Sequence, residues 1–461
     1  MNFTVRRCKA TSDHGVDSMM IFIAVIVAAF AVSYGWGIRG FVIGGEKGAL
    51  LPGALLGFFI AFFTLGDMGH EYYLFYTAAG ALSMFYGGTE TYAQTMSYLL
   101  SRDVKGPYYN QLKKGVIGIF LKGGLWFAIP GFTLSMLSGA LTGKYSVTEI
   151  VLTFALFPVV SIIGTRIFNY PYDKKKGIFP KLYFSLDRRE EWGSNVMIIL
   201  LLTVLTVINR DFISLGAGAV GFITGGMGFL IGLILYDIER RPMGKKFFGR
   251  FSEKGYIDGW KIMEHAFGAF SGGAMMLYFA LNSSYYTEAL QNVNRESLLL
   301  GNSGIIFAVI PLILLVFTAL QYPLIKILEG RNKNVNTNIF EIIERPLWSA
   351  VPLIFIFLGS SYAAAFGAFM TLAYALCEKC SIECFDDSRY KKPLRALFYV
   401  LWAVLTAWFY LNFESISPTD IMLLYGLGYT GACVLDSFSP DHFIRFVKEK
   451  EPVSQRTLSL F

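Results

Sequence analysis

The chain has 461 residues, 54% of them hydrophobic and 16% charged, with a mean hydropathy of +0.50. A soluble globular chain carries about 25% charged residues, so a single water-exposed globule is excluded. The composition predicts an all-α polytopic integral membrane protein of about 12 transmembrane helices. The net charge of +7 calls for no nucleic-acid partner. Its Lys and Arg residues sit in loops between apolar runs, where the positive-inside bias puts them, and the expected partner is membrane lipid. Most of the 42 Phe and many of the 26 Tyr are expected at lipid-facing or interfacial positions.

Residues 1–18 are polar, with Arg6, Arg7 and Lys9 ahead of the apolar run 19–34. That order resembles a signal peptide. The apolar pattern continues into a glycine-rich stretch, however, so 19–38 is read as a retained first span. Further spans are predicted at 49–65, 71–90, 115–139 and 148–168, which together make a first repeat over 19–168. The loop 169–193 holds Lys174, Lys175, Lys176, Lys181, Arg188 and Arg189 and is expected to be cytoplasmic. Spans at 194–209, 215–236, 262–281 and 304–325, with a long apolar run at 348–376, make a second repeat over 194–376. It contains a second basic loop, 237–261. A Cys-containing loop, 377–395, precedes two additional spans within 396–436 and a polar tail, 437–461. A multi-pass plasma-membrane location, the inner membrane in a bacterium, follows from this pattern.

Cys377, Cys380 and Cys384 form Cys-x-x-Cys-x-x-x-Cys in that loop. No histidine lies near and a fourth ligand is missing, so no metal and no cofactor are expected.

One stretch organises the rest: Gly35-Trp36-Gly37-Ile38-Arg39-Gly40-Phe41-Val42-Ile43-Gly44-Gly45-Glu46-Lys47-Gly48. Gly35, Gly37, Gly40, Phe41, Gly44 and Gly45 recur 181 positions downstream as Gly216, Gly218, Gly221, Phe222, Gly225 and Gly226. Both copies fit Gly-x-Gly-x-x-Gly, but apolar spans surround them and no βαβ unit does, which excludes a dinucleotide site. Glycines also let a backbone leave helical geometry, approach a ligand, or let helices cross closely. In related repeats such stretches point to a central cavity. His70-Glu71 and Glu264-His265 open two spans and extend the duplication at an offset of 193. Five spans counted between the glycine copies are read as a 5+5 inverted repeat plus two helices, with a 6+6 parallel repeat as the alternative.

Charges select the candidate site. A charge at mid-bilayer costs about 2.5–3.5 kcal/mol, so it usually faces protein or water. Arg39 presents a planar fork suited to a carboxylate or phosphate. Gly37, Gly40, Gly44 and Gly45 would shape that site, with Gly218, Gly221 and Gly225 from the second copy and Lys122 as a second cation. Glu46, His70, Glu71, Glu264 and His265 are candidates for ion or proton coupling. Solvated or packing roles are the competing reading for each.

No Gly-x-Ser-x-Gly, His-Glu-x-x-His or Walker loop occurs. Two function classes remain. The first is a secondary active transporter of a small organic anion, such as a sugar acid, coupled to H+ or Na+ by alternating access. The second is a membrane-embedded transferase or hydrolase acting on an acyl or lipid-linked phosphate substrate, with His70 or His265 as base.

Overall fold

The computed structural model describes residues 18–42, 47–66, 69–88, 95, 108–185, 189–240, 259–291 and 338–359. Within these, the side chains of 38–42, 47, 69–71, 108–112, 240 and 338–345 are not described. Among the described residues the chain is 87% helical with no strand. The helices are α1 (Ser18–Val42), α2 (Leu50–Thr64), α3 (Gly69–Gly87), α4 (Tyr108–Leu141), α5 (Val147–Ala155), α6 (Phe157–Asn169), α7 (Trp192–Ile208), α8 (Phe212–Arg240), α9 (Gly259–Leu281), α10 (Ser283–Gln291) and α11 (Asn338–Phe357).

Among the described residues, three segments are long and apolar enough to cross a membrane: Ser18–Gly37, Lys113–Leu141 and Phe212–Glu239. The α5–α6 pair adds a fourth if it is one span bent by 42°. Local chemistry explains that bend. Ser146 and Glu149 form a capping box that starts α5. Pro158 then lacks the N–H that would continue the ladder into α6. The α2 helix has 15 residues, so at 1.5 Å per residue it falls short of a hydrocarbon core about 30 Å thick. The twelve-span count depends on residues outside those described, including 304–325 and most of 348–436.

Glycine lets the helices touch backbone to backbone. A Cβ on Gly225 would strike the Gly123 carbonyl, and one on Gly131 would strike that of Ala217. Together with Gly221 against Phe127, these contacts make α4 and α8 antiparallel. Gly53 against Gly80 and Gly57 against Tyr76 do the same for α2 and α3. Val32 against Gly272 and Ala29 against Gly273 set α1 antiparallel to α9; Gly228 against Ser271 and Gly232 against Met263 set α8 antiparallel to α9. Gly164 against Gly193 pairs α6 with α7. Trp36 anchors the core, its ring 4.8 Å from Trp126 and 4.6 Å from Phe267 between centroids. The α4 helix is central, with 78% of its apolar window buried.

Neighbours therefore alternate in direction. The helix ends flanking 99–114, 169–193 and 237–261 all lie at one end of the bundle, the basic end. The start of α1 lies at the other end. The three basic loops therefore open at one end, whereas Arg6, Arg7 and Lys9 precede a helix that starts at the other.

The repeat reading meets a different outcome. Both α1 and α8 are antiparallel to α9, so the two glycine copies run in the same direction. Five intervening helical passes restore the original direction rather than invert it, which contradicts the inverted 5+5 arrangement. The copies also sit differently: Gly35 and Gly37 lie near the end of α1, whereas Gly216 to Gly226 lie in the first half of α8. The His–Glu pairs do not rescue the scheme, because α3 and α9, which carry His70-Glu71 and Glu264-His265, run in opposite directions. One symmetry operation cannot relate both sets.

Large apolar side chains cover the outside. Met19, Phe22 and Phe30 on α1, and Leu200, Val204 and Ile208 on α7, are exposed. Such a surface suits lipid.

Candidate functional site

Gly37 and His265 meet. A Cβ on Gly37 would overlap the His265 ring, and His265 Nδ1 lies 3.1 Å from Ser33 Oγ. The glycine thus admits an imidazole between α1 and α9. Glu264 precedes it in the same turn of α9. Arg39 and Gly40 follow in the last turn of α1, their side chains outside those described. Gly44, Gly45 and Glu46 lie outside the described residues.

His70 and Glu71 open α3 at the end opposite the basic loops, while His265 lies towards the basic end. The structure therefore does not bring the two His–Glu pairs together. Gly218, Gly221 and Gly225 belong to a continuous helix and face Phe132, Phe127 and Gly123 of α4. For these three the geometry is that of a packing seam.

Lys122 is buried midway along α4, beside Gly123, which packs on Gly225 of α8. Its Nζ lies 2.8 Å from Glu190 Oε1. Glu190 also accepts hydrogen bonds from Ser185 Oγ (2.9 Å), the Phe184 backbone N–H (3.0 Å) and Trp192 Nε1 (3.3 Å). The lone cation of the sequence therefore has an anion of its own.

A second charged centre was not anticipated. Asp211, wholly buried at the start of α8, accepts from Tyr145 Oη (2.5 Å), Ser214 Oγ (2.7 Å), Tyr285 Oη (3.0 Å) and the Ser214 backbone N–H (3.2 Å). Lys144 Nζ lies 3.4 Å from Oδ1, and its side chain is 31% exposed. The α4–α5 turn, α8 and α10 all contribute. Ser214 Oγ lies 3.0 Å from Ser135 Oγ, which lies 2.9 Å from Tyr286 Oη. A hydroxyl has one proton. If Ser214 gives its proton to the carboxylate, Ser135 donates to Ser214 and Tyr286 donates to Ser135. One turn along α4, Ser138 bonds Tyr76.

Burial first, and the Asp211 charge second, push the Tyr145 hydroxyl well above its ordinary value; the same two causes act on Tyr285. Both stay protonated donors at neutral pH. The result is a carboxylate held by hydroxyls inside the bundle, with one water-facing ammonium as counter-ion.

The signal for this centre was present in Asn209-Arg210-Asp211, a polar break between two apolar runs. It read as a short loop because nothing local announces that α10 will cover it. Tyr76, Tyr86 and Tyr286 likewise depart from the interfacial expectation, being buried with hydroxyls bonded to serines.

Among the described residues no group of three or more His, Cys, Asp or Glu is placed to hold a metal ion. Cys377, Cys380 and Cys384 lie outside them. No family model, curated protein or solved structure matches the chain.

Proposed function

We propose that the chain is a multi-pass plasma-membrane protein and a secondary active transporter of a small organic anion, driven by H+ or Na+. The observation that carries the reading is Asp211: a fully buried carboxylate in an apolar bundle, with Lys144 as a partner that reaches water. Asp211 lies at the mouth of the bundle, just before the apolar span that begins at Phe212, where a buried carboxylate is placed to meet an ion entering from that end. Proton or cation binding at Asp211 would release Lys144, so occupancy of the carboxylate changes a contact between the α4–α5 turn and α8. Arg39 remains the proposed anion group at the other end of the bundle, in the glycine-rich close of α1. His265 lies one helix away. Glu46, Glu264, His70 and Glu71 remain proposed coupling groups beside Asp211. Lys122 remains in the proposed anion site only if substrate can compete with Glu190. The twelve-span count belongs to the same proposal, as does a 6+6 parallel repeat that relates α1 to α8 through the glycine copies alone and leaves the His–Glu pairs outside it.

A thermal-shift panel of small carboxylates and sugar acids on the purified protein tests this reading. A ligand present at 100 times its Kd stabilises by about 2.7 kcal/mol. The expected result is stabilisation by at least one anion, lost in Arg39→Ala. No response to any anion, or an equal response in Arg39→Ala, contradicts it.

One observation favours the membrane-embedded transferase or hydrolase instead. Ser33 Oγ is within hydrogen-bond reach of His265 Nδ1, the contact that a nucleophile and its base require. Ser33→Ala separates the readings. An enzyme loses turnover of acyl or phosphate esters, whereas the transporter keeps its anion response.

A further inference from the structure

The loop between α6 and α7 is a built hairpin. Asp173 N–H donates to the Ile178 carbonyl at 2.8 Å, and Ile178 N–H donates back to the Asp173 carbonyl at 3.0 Å. These two bonds bracket Lys174-Lys175-Lys176, which form one 3₁₀ turn. The Asp173 carboxylate caps that turn through the Lys175 and Lys176 N–H groups, and Gly177 closes it with a φ of +67°. Below the turn, the Phe179 and Tyr183 rings stack with centroids 4.8 Å apart. Yet Ile178, Phe179 and Leu182 remain exposed, at 41%, 37% and 55%. Three apolar side chains presented beside three lysines make no sense against water alone.

The neighbouring helix says what they face. Val159, Ile163 and Ile167 recur every fourth residue along α6 and are all exposed. This is a lipid-facing stripe, and it runs down to the hairpin. Arg166 stacks over the Tyr170 ring at its lower end, 4.6 Å from the centroid. The hairpin thus lies where the hydrocarbon ends, at the basic end of the bundle.

We propose that the 170–185 hairpin is a binding surface for anionic phospholipid headgroups, with Ile178, Phe179 and Leu182 entering the acyl boundary and Lys174, Lys175 and Lys176 meeting phosphates. A plane of headgroups fits better than a single soluble phosphate. A 3₁₀ turn has three residues per turn, so consecutive side chains point about 120° apart and surround the turn rather than line a cleft. The Asp173 carboxylate lies 3.4 Å from Lys176 Nζ, and residues 173–176 carry one acid against three lysines. The turn keeps a net positive charge. This inference stands apart from the transport reading.

The test uses the purified full chain in mixed micelles of neutral detergent. Phosphatidylglycerol, phosphatidylcholine or inorganic phosphate is titrated in, and bound lipid is counted by native mass spectrometry. Each lysine near an anionic surface strengthens binding about five-fold. Phosphatidylglycerol should therefore bind well above phosphatidylcholine, more weakly at high salt. The Lys174→Gln/Lys175→Gln/Lys176→Gln variant should lose up to about 100-fold of that preference. Its Tm in phosphatidylcholine should match wild type, which separates a lost lipid contact from a lost fold. Phe179→Ser/Leu182→Ser should weaken both lipids while keeping the preference. Wild-type preference in the triple lysine variant overturns the proposal. So does full competition by inorganic phosphate, which would assign the turn to a soluble anion.

Discussion

Lys122 Nζ lies 2.8 Å from Glu190 Oε1, and both side chains are 1% exposed. The contact ties the middle of α4 to the chain just before α7. Three further donors from Phe184, Ser185 and Trp192 complete the carboxylate's shell. Removing one member of a buried pair leaves the other charge uncompensated, at about 3–5 kcal/mol. Lys122→Met should therefore unfold at markedly lower temperature in detergent. Adding Glu190→Gln should recover part of that loss, because the amide removes the stranded charge and keeps an acceptor oxygen. A double variant no more stable than Lys122→Met would show that the pair is not ionic.

The Gly37–His265 contact predicts a coupled pair. Gly37→Ala places a methyl group against the imidazole, and overpacking of this kind costs about 1–3 kcal/mol. In a His265→Ala background the same change should cost little. A double-mutant cycle on unfolding free energy measures the difference, expected at about 0.5–3 kcal/mol for residues in contact. Additive effects would mean that the ring is not held against α1.

The Tyr145 hydroxyl predicts a pH dependence. Burial and then Asp211 raise its pKa in the folded chain, so folding holds that proton more tightly. The contribution is fully present below the unfolded value of about 10 and is lost as pH rises beyond it. Wild-type Tm should fall from about pH 9 to about pH 11, and Tyr145→Phe should show a shallower fall. Equal slopes would remove Tyr145 from the Asp211 shell.

Much of the helical frame was legible. Residues 19–38, 115–139, 194–209 and 262–281 were read as spans, and helices occupy each of them. An apolar run of that length and composition leaves the backbone little alternative in lipid. What failed was relational. The Gly218, Gly221 and Gly225 spacing is the same whether it breaks a helix or seats one on another. Only Gly123 and Phe127 of α4, nearly 100 residues away, decide for the seam. Asp211 was passed over for a similar reason. Its donors Tyr145 and Tyr285 are contributed from both sides of it in the chain, by a turn and by the nine-residue α10, which no periodicity reveals. Lys122 stands out in the sequence as a cation inside an apolar run, but its partner Glu190 lies in a loop whose overall charge is basic, so the pair is not legible from either segment alone.

Coupled anion transport is tested most directly by one paired measurement. Proteoliposomes holding wild-type protein or Asp211→Asn are loaded for counterflow and, separately, given an inward H+ or Na+ gradient, with uptake of the anion found in the binding panel followed in both. The amide keeps the size of Asp211 and one of its two acceptor oxygens, but it cannot take up a proton as the carboxylate does, and it no longer attracts Lys144. Wild type should exchange and concentrate the anion, while Asp211→Asn should exchange it but not concentrate it. Concentrative uptake by Asp211→Asn at the wild-type rate, or no uptake by wild type in either mode, would contradict it.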